Sequence, residues 1–259
     1  MLFTSADIVT WIGSLFWPFT RIAAMLMIAP IFGARMVPVR IRLVVALLLT
    51  WIVLPLLPPV PAVDPLSASG VLVTVQQFII GFAIGFSLQL LFATLILAGQ
   101  TVAMGMGLGF ASIVDPQNGV NVPVLGQYYV VVATLLFLAL NGHLALIRVL
   151  VDSFQAVPVG LDSLTRDDFR AIAGWGTRLF ANALMVALPA VASILLVNLA
   201  FGVVSRAAPQ LNIFGVGFPI TMALGFVVIV FAVANLLPQM QQLVGEALKA
   251  AGLFGAGGR

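Results

Sequence analysis

Hydrophobic residues form six long runs along the chain, and most polar, proline and glycine residues lie in the short segments between them. A helix needs about 20 mostly apolar residues to cross the hydrocarbon core of a bilayer. The third run exceeds that length and the second falls short of it, so we expect helices of unequal length, some of them tilted. The runs cover residues 8–32, 43–57, 71–102, 123–151, 178–204 and 215–237.

Prolines inside these runs predict bends. Pro18 lies in the first run, Pro189 breaks the fifth, and Pro219 and Pro238 lie within and at the end of the sixth. A proline inside a helix removes one backbone hydrogen bond and clashes with the carbonyl four residues earlier. The pattern therefore predicts an all-α fold of integral-membrane type, built from kinked helical hairpins.

The third run has features of a helix that packs closely against other helices. Gly81 and Gly85 place two small residues on one helix face, where a second backbone can approach. Amide side chains along the same run are able to hydrogen-bond between helices without adding charge. These amides belong to Gln76, Gln77, Gln89 and Gln100.

Segment 151–177 is the most polar part of the chain and the best candidate for a boundary between two halves. Within it, Thr165 precedes Asp168 by three positions. This is the spacing at which a helix-capping residue and a residue in the first turn satisfy each other's backbone donors. We therefore expect a short helix to begin just after Thr165.

The composition excludes an ordinary water-soluble domain. Of the 259 residues, 62% are hydrophobic and 7% are charged, whereas soluble domains contain about 25% charged residues. The ten arginines and one lysine are thinly spread, so we do not expect the chain to bind nucleic acid. The absence of cysteine excludes disulfide bonds and thiolate chemistry.

The sequence contains no arrangement that is typical of an active site. His143 is the only histidine, and a lone histidine among apolar residues is usually structural. Paired carboxylates, nucleophile motifs and phosphate-binding loops do not occur within the runs. We therefore predict no enzymatic activity, no catalytic residue, no cofactor and no metal site. Arg21, inside the first run, either pairs with buried groups, extends to the membrane surface or contacts a substrate directly.

Basic residues suggest how the chain is oriented. Arg35, Arg40 and Arg42 form the densest basic cluster, and Arg206 lies in another short connection. Cytoplasmic loops of membrane proteins are enriched in arginine and lysine. We therefore expect both connections to face the cytoplasm, and segment 151–177 to face the opposite side.

The segment between the third and fourth runs is apolar and rich in glycine. From Met104 to Phe110, glycine alternates with bulky apolar residues, which suits extended backbone with one apolar face. A helical interpretation is weaker, because each glycine costs a helix about 1 kcal/mol. Asp115-Pro116 adds a turn signal. Non-helical backbone at membrane depth persists only inside protein or beside a cavity.

Two functions are open for this segment: an ordinary connection between helices, or a plug that closes a pore. An apolar plug would be deformable, because methionine adapts its packing and glycine permits backbone rearrangement. The candidate plug residues are Met104, Gly105, Met106, Gly107, Leu108, Gly109, Phe110, Ile113, Asp115 and Pro116.

A second candidate region is the compact polar segment from Ser205 to Phe214, between the fifth and sixth runs. We expect a turn that joins the last two long helices and supports assembly with other subunits. Its arginine would bind carbonyl groups at a helix end or a neighbouring subunit. The candidate assembly residues are Arg206, Pro209, Gln210, Asn212 and Phe214.

At the level of the whole chain, the residues leave two classes of function open. One is a subunit of a protein-conducting gate, and the other is a small-solute secondary membrane transporter. Ion-coupled transporters place ionisable groups near mid-membrane. No acidic residue lies within the six runs, which favours the gate.

Three blocks of sequence carry a resemblance to a known family. They are Gly107 to Pro116, Asn141-Gly-His143 with the following Asp152 and Phe154, and Ser205 to Phe214. With these blocks the chain resembles the flagellar biosynthetic protein FliR family of type III secretion export gates, which includes injectisome counterparts. The chain length and the six runs agree, so the resemblance covers essentially the whole chain.

The resemblance implies a core subunit of the flagellar type III export gate, which conducts unfolded flagellar subunits. One copy would join several copies of FliP and FliQ, alongside FlhB and FlhA, in contact with membrane lipid. The helical assembly would lie in the bacterial inner membrane at the flagellar basal body, raised towards the periplasm. The resemblance also implies a FliP-like half, 1–165, with its plug loop at 105–121, and a FliQ-like helical hairpin with a C-terminal tail, 166–259.

Overall fold

The computed structural model describes residues 5–61, 63–108, 112–114, 121–161, 163–207 and 217–254. The chain is all-α, as predicted, apart from two three-residue strands. In order, the elements are α1 (Ser5–Ile28), α2 (Val39–Val53) with a 3₁₀ turn (Leu54–Leu56), α3 (Ala68–Gly105), β1 (Ser112–Val114), β2 (Asn121–Pro123), α4 (Val124–Ala139), α5 (Gly142–Ala156), α6 (Arg166–Ala207) and α7 (Phe218–Leu253).

Four described helices, α1, α2 with its 3₁₀ turn, α3 and α6, are long and apolar enough to cross a membrane. The number rises to six if α4 with α5, and the two bent parts of α7, each count as one broken span. The six hydrophobic runs therefore correspond to these helices, and α3, with 38 residues, is longer than one bilayer requires.

The fourth run does not form one helix. It is divided at Asn141, whose φ of 55° lies in the left-handed region. Asparagine adopts this conformation more readily than other non-glycine residues. The carbonyl of Asn141 then accepts from the N–H groups of Leu144 and Ala145, which starts α5.

The prediction that Pro189 breaks the fifth run is wrong, because α6, which is 42 residues long, continues through this proline. The proline forfeits one intrahelical bond, the one to the carbonyl of Met185, and helices of apolar chains tolerate such a loss. Ser193 Oγ donates to the carbonyl of Pro189 itself at 2.8 Å, so it does not replace that bond. In α7, Pro238 does accompany a bend, of 61°, between Pro219–Val233 and Asn235–Gly252. The bend lies at residue 234, whose carbonyl has no helical donor because Pro238 lacks an N–H group.

The predicted start of α6 is confirmed. The helix begins at Arg166, and the carboxylate of Asp168 accepts from both the N–H and the hydroxyl of Thr165, each at 2.7 Å. Asp168 is nearly fully buried, and Asp167 also lies in this first turn. Two carboxylates at the helix N-terminus stabilise it through the helix dipole.

The chain forms two compact units, and both are discontinuous in sequence. The first unit comprises residues 1–90, 141–176 and 244–259, and the second comprises 91–140 and 177–243. The two units are defined by contacts within the chain, whereas the predicted halves were defined by likeness to two other proteins. The division into halves 1–165 and 166–259 stays a prediction.

In the first unit, the predicted small-residue face of α3 packs directly on α1. A Cβ at Gly81 would collide with the carbonyl oxygen of Arg21, and a Cβ at Gly85 would lie 2.7 Å from that of Met25. Glycine is therefore required at both positions by close backbone approach. One amide of α3 bonds another helix, as predicted: Gln77 Oε1 accepts from Arg21 on α1. Gln76 instead hydrogen-bonds the backbone at Leu161 and Ser163, in the connection between α5 and α6.

Arg21 is fully buried in the first unit, where it pairs with polar groups. Its Nε donates to Gln77 Oε1 at 2.8 Å, and Nη1 donates to the carbonyl and hydroxyl of Ser153 at 2.9 and 3.1 Å. Nη2 donates to the carbonyl of Val157 at 2.8 Å, and the guanidinium lies 4.1 Å from the ring centroid of Phe154. Of the three alternatives for Arg21, the structure shows buried pairing.

The carbonyl partners of Arg21 belong to the C-terminal end of α5, where a cation is favoured by the helix dipole. Among the described residues, no carboxylate forms an ion pair with it. The orientation of the Gln77 amide is fixed, because only its oxygen can accept from Arg21 Nε. Gln77 Nε2 consequently has no partner within the described part of the chain.

We predict that Arg21→Met strongly destabilises the protein, because it leaves several buried acceptors without donors at about 1–3 kcal/mol each. Arg21→Lys should recover only part of the loss, since lysine lacks the planar fork of donors and the ring contact. Gln77→Glu should not destabilise, because it keeps the acceptor and removes the unpaired donor. The measurement is the temperature at which half of the detergent-extracted protein remains soluble. Equal values for Arg21→Met and the unmodified chain would contradict this account.

Candidate pore-closing segment

The glycine-rich segment begins as the capped end of a helix. Helix α3 extends to Gly105, and Gly107 has a φ of 79°. The N–H of Gly107 donates to the carbonyl of Met104 at 3.1 Å, and that of Leu108 donates to Ala103 at 2.8 Å. This pair of bonds, with glycine in the left-handed region, is the Schellman motif that satisfies the last carbonyls of a helix.

Met106 anchors this helix end in the core of the second unit. It is 0% exposed, and Leu108 packs partly buried against the same apolar cluster. A Cβ at Gly225, on α7, would lie 2.6 Å from Met106 Cε and Cγ. The glycine therefore makes the space that the methionine side chain fills. The buried cluster consists of Ala98, Val102, Ala103, Met106, Leu125, Ala187, Ala190, Ile194 and Ile229.

Beyond the helix end, the backbone forms a small antiparallel hairpin. Strand β1 pairs with β2 in the register Ser112 with Pro123, Ile113 with Val122 and Val114 with Asn121. Helix α4 starts immediately after β2. The pairing brings the two ends of segment 115–120 together, the position at which the sequence shows its turn signals.

Helices α3 and α4 are held together near this hairpin by two glycines. A Cβ at Gly99 would lie 2.8 Å from the Cα of Gly126, closer than side chains allow. The backbones therefore touch without an intervening side chain. Both helices that enter and leave the hairpin are thus fixed in the second unit.

The structure separates the candidate plug residues into different environments. Met104 and Gly105 belong to the last turn of α3, Met106, Gly107 and Leu108 form its cap, and Ile113 lies in β1. Met104 is 62% exposed, so it faces away from the core that buries Met106. Gly109, Phe110, Asp115 and Pro116 lie outside the described residues.

The expectation of extended backbone from Met104 onwards is wrong for the first residues. Core packing of α3 and its cap outweigh the cost of glycine in a helix, which is about 1 kcal/mol for each residue. Extended backbone is present at β1 and β2, so non-helical structure between α3 and α4 is confirmed.

The candidate assembly turn begins later than expected. Helix α6 continues to Ala207, so Ser205 and Arg206 belong to its last turn. Arg206 is exposed there, and a cation at a helix C-terminus is favoured by the dipole. Pro209, Gln210, Asn212 and Phe214 lie outside the described residues.

Sequence reasoning did not single out Gly99, Gly126 and Gly225. Each matters because of a partner distant in sequence, and nothing in its local pattern shows this. The hydrogen bond from Thr221 Oγ1 on α7 to Asn198 Oδ1 on α6, at 3.1 Å, was also not foreseen. His143, the single histidine of the sequence, lies half-buried in the first turn of α5.

The described residues contain no group of three or more His, Asp or Glu side chains arranged to hold a metal. Nδ1 of His143 has no hydrogen-bond partner among the described residues. The arrangement around the segment is therefore one of apolar packing and backbone capping. Such a site can hold a backbone loop in place.

Comparison with known proteins identifies the family. Residues 12–247 match the sequence model of bacterial export proteins, family 1. The chain belongs to the FliR family of bacterial export proteins. Flagellar biosynthetic protein FliR of Escherichia coli strain K12 is 40% identical over 243 residues, which cover 94% of this chain and 93% of that protein.

Other FliR proteins match over most of their length as well. The FliR of Pectobacterium carotovorum is 39% identical over 246 residues, or 95% of this chain and 94% of that protein. The FliR of Bacillus subtilis strain 168 is 31% identical over 215 residues, which cover 82% of this chain and 83% of that protein. The family match includes both packing units and the whole segment between α3 and α4.

We predict that Gly225→Ala destabilises this FliR-family chain by about 1–3 kcal/mol, because the added methyl group collides with the buried Met106. Gly245→Ala on the same helix is the matched control, since a Cβ there meets nothing within 4 Å. It should stabilise by up to about 1 kcal/mol through helix propensity. Thermal stability in detergent measures both. A loss that is equal in the two variants would contradict the proposed contact.

The cap at Gly107 gives a separate prediction. Gly107→Ala should cost about 1–2 kcal/mol, because alanine is disfavoured in the left-handed conformation. Gly107→Asn should cost less, since asparagine also occurs at this capping position. Limited proteolysis within segment 104–123 measures local opening of the cap. Identical cleavage rates for the alanine and asparagine variants would argue against the capping geometry.

Proposed function

We propose that this chain is a core subunit of the flagellar type III export gate and that segment 104–121 closes its channel at rest. The observation that carries the proposal is the extended backbone of β1 and β2 between α3, a candidate membrane span, and α4, which forms a broken span together with α5. Backbone of this kind at membrane depth requires protein or a cavity around it. Because its two ends are fixed in the second unit, the segment is suited to move locally while the helices stay in place.

The residues of the segment have the chemistry of an apolar closure. Unfolded cargo needs a channel wide enough for an extended chain, and such a channel would leak ions when empty. An apolar constriction excludes ions by dewetting. Exposed Met104 offers a flexible apolar side chain at the helix end, while Met106 and Leu108 anchor the segment. Closure and anchoring are thus assigned to different residues.

The partners in this proposal are FliP and FliQ, with FlhB and FlhA alongside and unfolded flagellar subunits as cargo. The exposed apolar surface of α6 supports a role in assembly, because large apolar patches on a protein mark sites of association. Exposed residues of α6 include Phe180, Leu184, Met185, Leu188, Leu195, Leu196, Leu199 and Val203. In this role the chain is a structural component of the inner-membrane gate, raised towards the periplasm, and not an enzyme.

The closure is tested by replacing residues 109–111 with Gly-Ser-Gly and residues 115–120 with a two-residue Asn-Gly turn, which spares the cap of α3 and leaves a turn to join the paired strands. We expect the gate to assemble, and the permeability of cells to ions and small solutes to rise, because the apolar barrier is lost. Shortening segment 57–61, between α2 and α3, is the control. If permeability and export both remain normal in an assembled gate, the segment is only a connection.

Assembly is tested by native gel electrophoresis after mild detergent extraction. The gate proposal predicts that the chain migrates with FliP and FliQ, whereas a secondary transporter would migrate as a monomer or dimer. Arg206→Ala should lower the amount of complex more than it alters permeability, because Arg206 is exposed at the end of α6. Arg166→Ala, at the other end of this helix, is the control. Normal complex yield with altered permeability would reverse the assignment of Arg206.

A further inference from the structure

Helix α2 exposes an unusually wide apolar surface. Only Ala46, Thr50 and Val53 are buried along it. At 100° per residue, the exposed positions from Val39 to Ile52 cover an arc of about 220°, much wider than the stripe that one neighbouring helix covers. The exposed apolar residues are Val39, Ile41, Leu43, Val44, Leu47, Leu48, Trp51, Ile52 and, in the 3₁₀ turn, Leu56.

The dimensions of this surface fit a bilayer. Residues Val39–Leu56 form one candidate span of 18 residues, and at 1.5 Å per residue they extend for about 27 Å, close to the hydrocarbon thickness of about 30 Å. Lipid acyl chains can cover an arc of this width, whereas one neighbouring helix cannot.

Exposed positive charge lies at one end of the surface. Arg35 and Arg40 are exposed, whereas Arg42 turns back to donate to the carbonyl of Ala34. The sequence has no Asp or Glu between Asp7 and Asp64, and the first turn of α2 contains no acidic residue. The positive end of the helix dipole adds to the same potential. Within the described part of the chain, neither Arg35 nor Arg40 forms an ion pair, so both can bind an anion from another molecule.

We propose that α2 lies against lipid acyl chains and that Arg35 and Arg40 bind the phosphates of anionic phospholipids. Arginine donates paired hydrogen bonds to phosphate oxygens, and basic residues next to a membrane segment attract anionic lipids. The apolar arc begins directly beside the two arginines, which is the arrangement of a lipid headgroup above its acyl chains. This inference does not rest on the proposed closure of a channel.

The first test shows what covers α2 in the complex extracted from membranes and returned to nanodiscs. Because the chain has no cysteine, Leu48→Cys introduces a single site for a fluorescent label. Leu48 is 58% exposed, and Ala46, at 1%, provides the buried control Ala46→Cys. Brominated phospholipid should quench the label at 48 and not at 46. Absence of quenching at 48 would show that protein covers α2 and would overturn the proposal.

The second test measures binding of phosphatidylglycerol and phosphatidylcholine to the delipidated complex by native mass spectrometry. The double variant Arg35→Gln with Arg40→Gln should weaken phosphatidylglycerol binding by about 20-fold. The control, Arg166→Gln with Arg170→Gln, removes the same charge at the start of α6, where Arg170 pairs with Asp167, and should change binding little. Equal binding of the two lipids to the unmodified complex, or equal losses in both double variants, would overturn the arginine site.

Discussion

Backbone hydrogen bonding is the constraint on which the rest of this structure depends. With 62% hydrophobic residues, the chain has little polar surface and few side chains that can replace water at exposed backbone groups. Helices satisfy those groups internally, which is why almost every described residue between the connections is helical. Where a helix ends, a specific device takes over: the left-handed Asn141 between α4 and α5, and the capped end of α3 at Gly107.

The same constraint explains the segment between α3 and α4. Its two ends are secured by different means, one by a capped helix end with a buried methionine and the other by the β2 strand that leads into α4. The contacts between Gly99 and Gly126, and between Met106 and Gly225, hold these ends without any polar group. The proposed closure would move between these anchors while the helices stay in place.

Arg21 shows how a charge is accommodated in the interior of such a chain. The charge is balanced by helix-end carbonyls, an amide oxygen and an aromatic face rather than by a carboxylate among the described residues. Breaking a buried pair leaves the remaining partner unsatisfied, so this arrangement depends on all its members. Through Arg21, helix α1 is joined to α3 and to the end of α5 within the first unit. By contrast, Arg35 and Arg40 remain exposed beside the apolar surface of α2.

The sequence alone determined the helical class, the approximate positions of the helices, the start of α6 at Thr165 and Asp168, and the close packing at Gly81 and Gly85. These features follow from local composition and spacing, which are properties of neighbouring residues. Only the tertiary structure decided that α6 passes through Pro189, that Arg21 is paired inside the first unit, and that Met106 is buried while Met104 is exposed. These outcomes depend on contacts between residues far apart in the chain, as Gly225 shows for Met106, and no local pattern encodes which distant residue will supply the space, the acceptor or the packing surface.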